Sequence, residues 1–174
     1  MCDRTKLAVI AREEAEKPYN GKLNNYMPNI QDIVALFPKW SMEEANGLWC
    51  AAFVYHCVIL AGFKIPVHPK EASCSLAGCA AWEEWAKADN RIAYHSGKDN
   101  VFQPAAGDIV LFDQVFNNTD HDHIGIVLEN HADFILTAEG NVENVSRILE
   151  RKKDSHIRAY IRIPDDFMYE ENIQ

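Results

Sequence analysis

The chain has 174 residues, of which 48% are hydrophobic and 25% charged, and this composition is typical of a single globular domain. Its net charge of −9 at pH 7 has the wrong sign for binding a phosphate backbone, which excludes a nucleic-acid-binding protein. No apolar stretch approaches the roughly 18 residues of a membrane span, so the sequence predicts no transmembrane segment.

Helices are predicted in the first half of the chain. An apolar stripe among helix-forming residues predicts a first helix over residues 7–17, and a short helix is expected near residues 30–37. The clearest helix spans residues 49–61 and ends at Gly62, a common residue just beyond a helix. Because this helix is apolar on nearly every side, we expect it to be buried and central. Another helix is expected over residues 75–88.

Extended segments follow in the second half of the chain. Strands are predicted over residues 108–114, 123–129, 134–139 and 157–163. Helices first and a meandering sheet second indicate an α+β fold with an antiparallel sheet. We expect a single domain over residues 1–164, followed by an acidic tail over residues 165–174 that frays.

Cys50 stands near the start of the predicted central helix. Unpaired amides and the macrodipole at a helix N-terminus favour a thiolate, so this thiol is a candidate nucleophile. The same amides could hold a developing oxyanion. The position also fits a small core residue, because free cysteine is among the most buried residue types. The five cysteines are an odd number at irregular spacings, which argues against a disulfide framework.

The alternation of apolar residues in two predicted strands, 123–129 and 134–139, indicates which side chains share a face. With an odd-numbered turn between these strands, His123 lies opposite Glu139, and Asn141 is two residues further along on the same face. Cross-strand neighbours lie about 5 Å apart, so the pattern brings an imidazole near a carboxylate and an amide. Those groups orient an imidazole and stabilise its protonated form. The alternative is a solvated face near a turn.

Four motifs occur in a fixed order: Leu48-Trp49-Cys50-Ala-Ala-Phe-Val54 with Ala61-Gly-Phe63, then Pro104-Ala-Ala-Gly-Asp-Ile-Val-Leu-Phe112, Asp122-His123-Ile-Gly-Ile-Val127 and Glu139-Gly-Asn141. In order and approximate spacing, they resemble the CHAP family, the cysteine- and histidine-dependent amidohydrolases/peptidases of the papain-like NlpC-type superfamily. The resemblance covers most of the chain. It implies a papain-like fold in which the nucleophile begins a buried helix packed on a C-terminal antiparallel sheet.

The resemblance also implies a role for each residue of the site. Cys50 would be the nucleophile, His123 the general base and Glu139 the residue that orients His123, with Asn141 assisting as a fourth member. Family members mostly cut amide bonds in peptidoglycan, either between sugar and stem peptide or within the peptide. Trp49 abuts the nucleophile, and we expect it to contact substrate by stacking on a sugar ring.

Cofactors are not required by this chemistry, because a Cys–His pair can cleave an amide through an acyl-enzyme by itself. His121, with Asp120 and Asp122, suggests a metal site, but zinc needs further ligands at suitable geometry, and no metal is predicted. Some relatives carry a calcium-binding acidic loop before the cysteine. Residues 41–47 lack its alternating Asp pattern.

The expected substrate is peptidoglycan or another peptide-like molecule, and the chain is expected to be a monomer. The N-terminus lacks the apolar region of a secretory signal, so we expect cytoplasmic synthesis and delivery to the cell wall by a phage holin or a secretion apparatus. Two alternatives stay open. One is a cytosolic papain-like amidase or deacylase with a non-wall substrate, and the other is a catalytically silent papain-like module that only binds.

Overall fold

The structure, a computed structural model, describes residues 1–170. Within these residues, helices precede strands along the chain. The helices are α1 (Arg4–Glu16), α2 (Gln31–Val34), α3 (Met42–Ala45), α4 (Cys50–Leu60) and α5 (Cys79–Ala88). The strands are β1 (Ala93–Ser96), β2 (Ile109–Phe112), β3 (His123–Asn130), β4 (Phe134–Val142), β5 (Val145–Lys152) and β6 (Ile157–Arg162).

The six strands form one antiparallel sheet in the order β1-β6-β2-β3-β4-β5. Helices α1 and α4 pack against β3 and β4, and one hydrophobic core joins helices and sheet. The predicted α+β architecture, with N-terminal helices on a C-terminal antiparallel sheet, is therefore confirmed, and it is consistent with a papain-like fold. No helix of the described residues is both long and apolar enough to cross a membrane.

The central helix α4 is held at its end by the backbone geometry of Gly62. Nine of its eleven residues are buried, as its apolar sequence predicts. Gly62 adopts a φ of +96°, its amide donates to the carbonyl of Ile59, and the amide of Phe63 donates to the carbonyl of Val58. These two bonds form a Schellman motif, which satisfies carbonyls that the helix end would leave unpaired. The predicted bounds are correct to within one residue.

Strands β1 and β5 were not predicted, and both lie at an edge of the sheet. Their burial is partial: no residue of either strand is fully buried, and β5 carries several charged side chains. An edge strand with this composition lacks the regular apolar alternation on which the prediction depends. The helix expected from residue 75 begins at Cys79, because turns occupy the preceding residues.

Residues 165–170, the first part of the expected tail, contact the rest of the protein. Phe167 is buried and its ring lies 5.8 Å from that of Trp85. Asp166 exchanges backbone and side-chain hydrogen bonds with Cys2, so this segment is fixed to the N-terminal region. Burial of the Phe167 ring stabilises this segment on the protein, although the acidic composition of the segment gave no indication of it. Residues 171–174 lie outside the described residues, and the division into one domain and a tail stays a prediction.

Candidate active site

Cys50 is the first residue of α4 and lines a cavity of about 750 Å³. The segment before it is fixed by Asn144, in the turn between β4 and β5. The Asn144 side-chain oxygen accepts from the indole Nε1 of Trp49 at 2.8 Å and from the backbone N of Gly47 at 3.2 Å. The N-terminal amides of α4 have no helical acceptor, so they can interact with the Cys50 thiolate or with an oxyanion.

His123 and Glu139 meet across β3 and β4. His123 Nε2 lies 2.6 Å from a carboxylate oxygen of Glu139, so the predicted contact between the two side chains is present. The predicted register is wrong, however. Ile126 pairs with Ala138, and a bulge follows between Val127 and Glu129, so Glu139 lies beside Gly125 rather than opposite His123.

Gly125 makes room for this contact. A Cβ at position 125 would come within 2.8 Å of the Glu139 Cγ, closer than side chains approach one another. Because the position carries no side chain, the Glu139 carboxylate can cross the strand diagonally to His123. The face shared by His123 and Glu139 was thus predicted correctly, but the pairing between them is two residues out of step.

The Glu139 carboxylate is completely buried and fully hydrogen-bonded. Thr137 Oγ1 donates to it at 2.7 Å, and Arg151 donates through Nε at 2.8 Å and Nη2 at 2.6 Å. Burial by itself raises the pKa of Glu139, but the hydrogen bonds and charges of Arg151 and His123 lower it to about 2. Glu139 is therefore ionised at neutral pH. The Nε2 of His123 carries a proton and donates a hydrogen bond to the Glu139 carboxylate.

His123 is nearly inaccessible, with 1% of its surface exposed, and is enclosed by two aromatic rings. The ring of Phe116 stands edge-on at 4.8 Å, and the ring of Phe112 stacks at 6.0 Å. Burial by itself lowers the pKa of His123, but its interactions with Cys50 and Glu139 raise it to about 9. Since Nε2 is engaged by Glu139, Nδ1 is the nitrogen left for Cys50.

The Cys50 sulfur lies in an environment that favours its ionised form. Its Sγ is 3.6 Å from the Sγ of Cys79, the first residue of α5. A hydrogen bond with Cys79 lowers the pKa of Cys50 against the effect of burial, and His123 and the Ala51 amide lower it further, to about 5. At neutral pH these pKa values favour a Cys50 thiolate facing a His123 imidazolium.

Three groups around the site were not predicted from the sequence: Thr137, Arg151 and Cys79. Thr137 lies two residues before Glu139 in the same strand, so the alternation of side chains places both residues on one face. The position of Thr137 could therefore have been predicted from the sequence. Arg151 lies on the unpredicted strand β5, and Cys79 stands 29 residues beyond Cys50 in a separate helix. The residues around Arg151 and Cys79 in the sequence give no indication of these contacts, because both contacts depend on how elements far apart in the chain pack together.

The structure does not support substrate contact by Trp49. Its side chain is completely buried, lies in T-shaped contact with Phe53 at 6.5 Å, and does not line the cavity. The ring turns into the core because its indole N–H is satisfied by Asn144. Substrate contact by Trp49 stays a prediction, and among the described residues Trp40 is the tryptophan that lines the cavity.

Asn141 lies in the cavity wall, but its amide is engaged elsewhere. Its Nδ2 donates to the carbonyl of Gly47 at 2.9 Å, and its backbone adopts a φ of +59°. It thus fixes the loop before Cys50 rather than contacting His123 directly. The role predicted for Asn141 as a fourth catalytic member stays a prediction, and so do the roles of Cys50, His123 and Glu139.

His121, which suggested a metal site, also lines the cavity, but its imidazole contacts buried Glu83 of α5. Within residues 1–170, no group of three or more His, Cys, Asp or Glu side chains is arranged to hold a metal ion. The Asp120 carboxylate instead faces the guanidinium of Arg158, at 3.8 Å. The loop carrying His121 is therefore connected to the protein by ion pairs.

Comparison with family models matches residues 42–141 to the CHAP domain. The matched region contains Cys50, His123, Glu139 and Asn141, and it covers more than half of the chain. The chain belongs to the CHAP family. No curated protein matches the chain. CHAP domains are generally hydrolases, cysteine- and histidine-dependent amidases or peptidases that typically act on peptidoglycan. In this CHAP protein, Arg151 lies outside the matched region.

Proposed function

We propose that this CHAP protein is a cysteine-dependent amide hydrolase that cleaves bacterial peptidoglycan, at the sugar–peptide link or within the peptide. One observation supports the proposal above all: Cys50 at a helix N-terminus lines the same cavity as His123 and interacts with it, and His123 is held at 2.6 Å by an ionised, buried Glu139. This arrangement supports acyl transfer, in which Cys50 would be the nucleophile, His123 the base and Glu139 the orienting group.

The first step forms an acyl-enzyme. The Cys50 thiolate attacks the carbonyl carbon of the amide and forms a C–S bond, while the carbonyl oxygen takes up negative charge. Amides at the start of α4 can stabilise that charge. The His123 imidazolium then donates its Nδ1 proton to the amide nitrogen, the C–N bond breaks, and the amine leaves.

The second step hydrolyses the thioester. Neutral His123 accepts a proton from water, the resulting hydroxide attacks the acyl carbon, and the C–S bond breaks to release a carboxylic acid. Glu139 stays ionised throughout and holds the imidazole in one orientation. Its two bonds from Arg151 restrict the carboxylate, so little reorganisation accompanies each change of charge on His123.

The cavity supports a peptide-like substrate. It is open to solvent and combines apolar side chains with amides and hydroxyls, a mixture that suits a chain of alternating amide groups and aliphatic side chains. Leu48 and Phe116, which line it, remain 64% and 44% exposed. Among the described residues, no Lys or Arg lines the cavity, whereas Asp122 and Glu143 do, so an anionic group away from His123 would meet carboxylates.

Digestion of purified sacculi tests the proposal. Sacculi from several species are incubated with the wild type and with Cys50→Ala, and the soluble fragments are weighed by mass spectrometry. We expect new amino and carboxyl termini with the wild type alone, and the masses identify the amide that is cut. Sacculi left intact by a folded wild type, together with cleavage of a small acyl amide or peptide, would instead support the non-wall amidase.

The charge of the protein supplies a second test. Walls rich in anionic polymers repel a chain of net charge −9, so activity on intact cells should rise with salt until screening saturates near a Debye length of about 8 Å. Sacculi stripped of those polymers should show little salt dependence. A module that only binds would show unchanged walls in both assays, and alkylation of Cys50 would leave its affinity largely intact.

A further inference from the structure

Two helices begin at the same point of the cavity, and each begins with a cysteine. Cys50 opens α4, and Cys79 opens α5. Their sulfur atoms are 3.6 Å apart, which is within hydrogen-bonding range for sulfur, and both side chains are buried but line the cavity. No other hydrogen bond to the Cys79 sulfur occurs among the described residues.

The position of Cys79 is fixed by the packing of α5. Trp82 and Trp85 are completely buried, and the Trp82 indole donates to the carbonyl of Leu76 at 2.9 Å. One turn after Cys79, the buried Glu83 carboxylate accepts from Tyr94 at 2.5 Å and from Arg158 at 3.0 Å. Because α5 is held on both sides, the contact between the two sulfur atoms is imposed by the fold.

The two thiols differ in which of them can ionise. Cys50 faces His123 and the Ala51 amide, both of which favour a thiolate. The neighbouring Cys50 raises the pKa of Cys79, and burial and the charge of Asp122 add to that increase. Cys79 therefore keeps its proton, and its S–H is the donor in the contact.

We propose that Cys79 is a positioning residue of the active site, whose S–H donates to the Cys50 thiolate and enlarges the fraction of nucleophile that is ionised at acid pH. The proposal rests on Cys50 being the nucleophile of the proposed function. A hydrogen bond to a charged acceptor changes an ionisation equilibrium by roughly tenfold, so the contact is large enough to measure.

The test is the pH dependence of Cys50 alkylation. The rate of carbamidomethylation of the Cys50 peptide is measured by mass spectrometry between about pH 4 and pH 9 in a reducing-agent-free buffer after prior reduction. Cys79→Ala and Cys79→Val both remove the donor, one with loss of volume and one without. We expect each to move the midpoint upward by about one pH unit, which lowers the rate about fivefold at pH 5 and scarcely at neutral pH.

Two further variants separate donation from packing. Cys79→Ser keeps a donor and should move the midpoint by roughly half as much or less. Cys74→Ala removes an exposed thiol of the preceding segment and should match the wild type. A role in packing alone would lower the melting temperature and the rate at every pH without moving the midpoint.

The proposal is overturned if the midpoints of the Ala and Val variants equal that of the wild type, or if the Ser variant shifts as far as they do. Should the Ala variant not fold, Cys79→Val and Cys79→Ser still decide the matter. The measurement reads the ionisation of Cys50 and needs no substrate, so its failure is distinguishable from a failure of the sacculus assay.

Discussion

Arg151→Met tests how the Glu139–His123 pair is held. The substitution removes the guanidinium and both of its hydrogen bonds to Glu139, at 2.8 and 2.6 Å. Methionine keeps an unbranched side chain that can pack near Phe112 and Phe116, whose ring centres lie 5.3 and 5.5 Å from the guanidinium carbon. The main change is therefore the loss of charge beside a buried carboxylate.

The magnitude follows from burial. The Glu139 side chain is 0% exposed and that of Arg151 is 18% exposed. Removing one partner of a buried ion pair costs about 3–5 kcal/mol. Because Arg151 is partly hydrated and Glu139 keeps its contacts with His123 and Thr137, we expect a loss of about 2–3 kcal/mol. For a protein of this size, the melting temperature should fall by about 5–10 °C.

Thermal unfolding at neutral pH, followed by circular dichroism, measures the effect. Arg147→Met is the matched control, because Arg147 is exposed on the same strand and pairs with Glu139 only through the backbone. We expect the control to melt within about 1 °C of the wild type. Equal losses in the two variants would show that Glu139 does not need its guanidinium partner.

The pH profile supplies a second reading of Arg151→Met. Removing a positive charge near His123 favours its protonated form, so the alkaline limb of activity should move to higher pH. A limb that moves to lower pH would mean that Glu139 has become protonated or has turned away from His123. Either result would show that Arg151 is needed to keep the carboxylate ionised and in place, whereas a limb that does not move would refute an electrostatic effect of Arg151 on His123.

The remaining predictions concern the wild type and three substitutions. The pKa values of about 5 for Cys50 and about 9 for His123 predict a bell-shaped kcat/KM, since activity needs the thiolate and the imidazolium together, whereas Cys50 alkylation should show the acid limb alone. Glu139→Gln should reduce kcat/KM less than His123→Ala does. Loss of the general base in His123→Ala should lower kcat/KM by about 10²–10⁴-fold. Equal losses in the two variants would mean that Glu139 does more than orient His123. Gly125→Ala should displace Glu139, 2.8 Å from the added Cβ, and lower activity in a protein that still folds; full activity would contradict the diagonal contact.

Local patterns were sufficient to predict the elements that carry Cys50 and His123. The apolar run before Gly62 predicts α4, and the alternation after His123 predicts β3, because both depend on neighbouring residues. The face shared by His123 and Glu139 followed from the same alternation. The register did not, because it depends both on where the turn between β3 and β4 lies and on the bulge after Val127, and neither is marked by a residue type.

Long-range packing accounts for the features that were not predicted. Arg151 and Cys79 act on the site from elements whose placement depends on the whole fold, and Trp49 points into the core because Asn144 satisfies its indole. Exposure likewise could not be inferred from composition, as the buried Phe167 in an acidic segment illustrates. The sequence indicated the candidate residues Cys50, His123 and Glu139, whereas their neighbours could be found only in the assembled structure.

The bonds of Asn144 also bear on the order in which the protein folds. This amide reaches back 95 positions to the Trp49 indole and 97 to the Gly47 backbone, so the segment before the nucleophile is closed by a residue near the other end of the chain. Contacts of such separation carry a loop-closure entropy and tend to form late. A growing or partly folded chain can therefore contain Cys50, His123 and Glu139 while the segment before Cys50 still lacks its fixed surroundings. The reactivity of the Cys50 thiol should then report that the chain has finished folding.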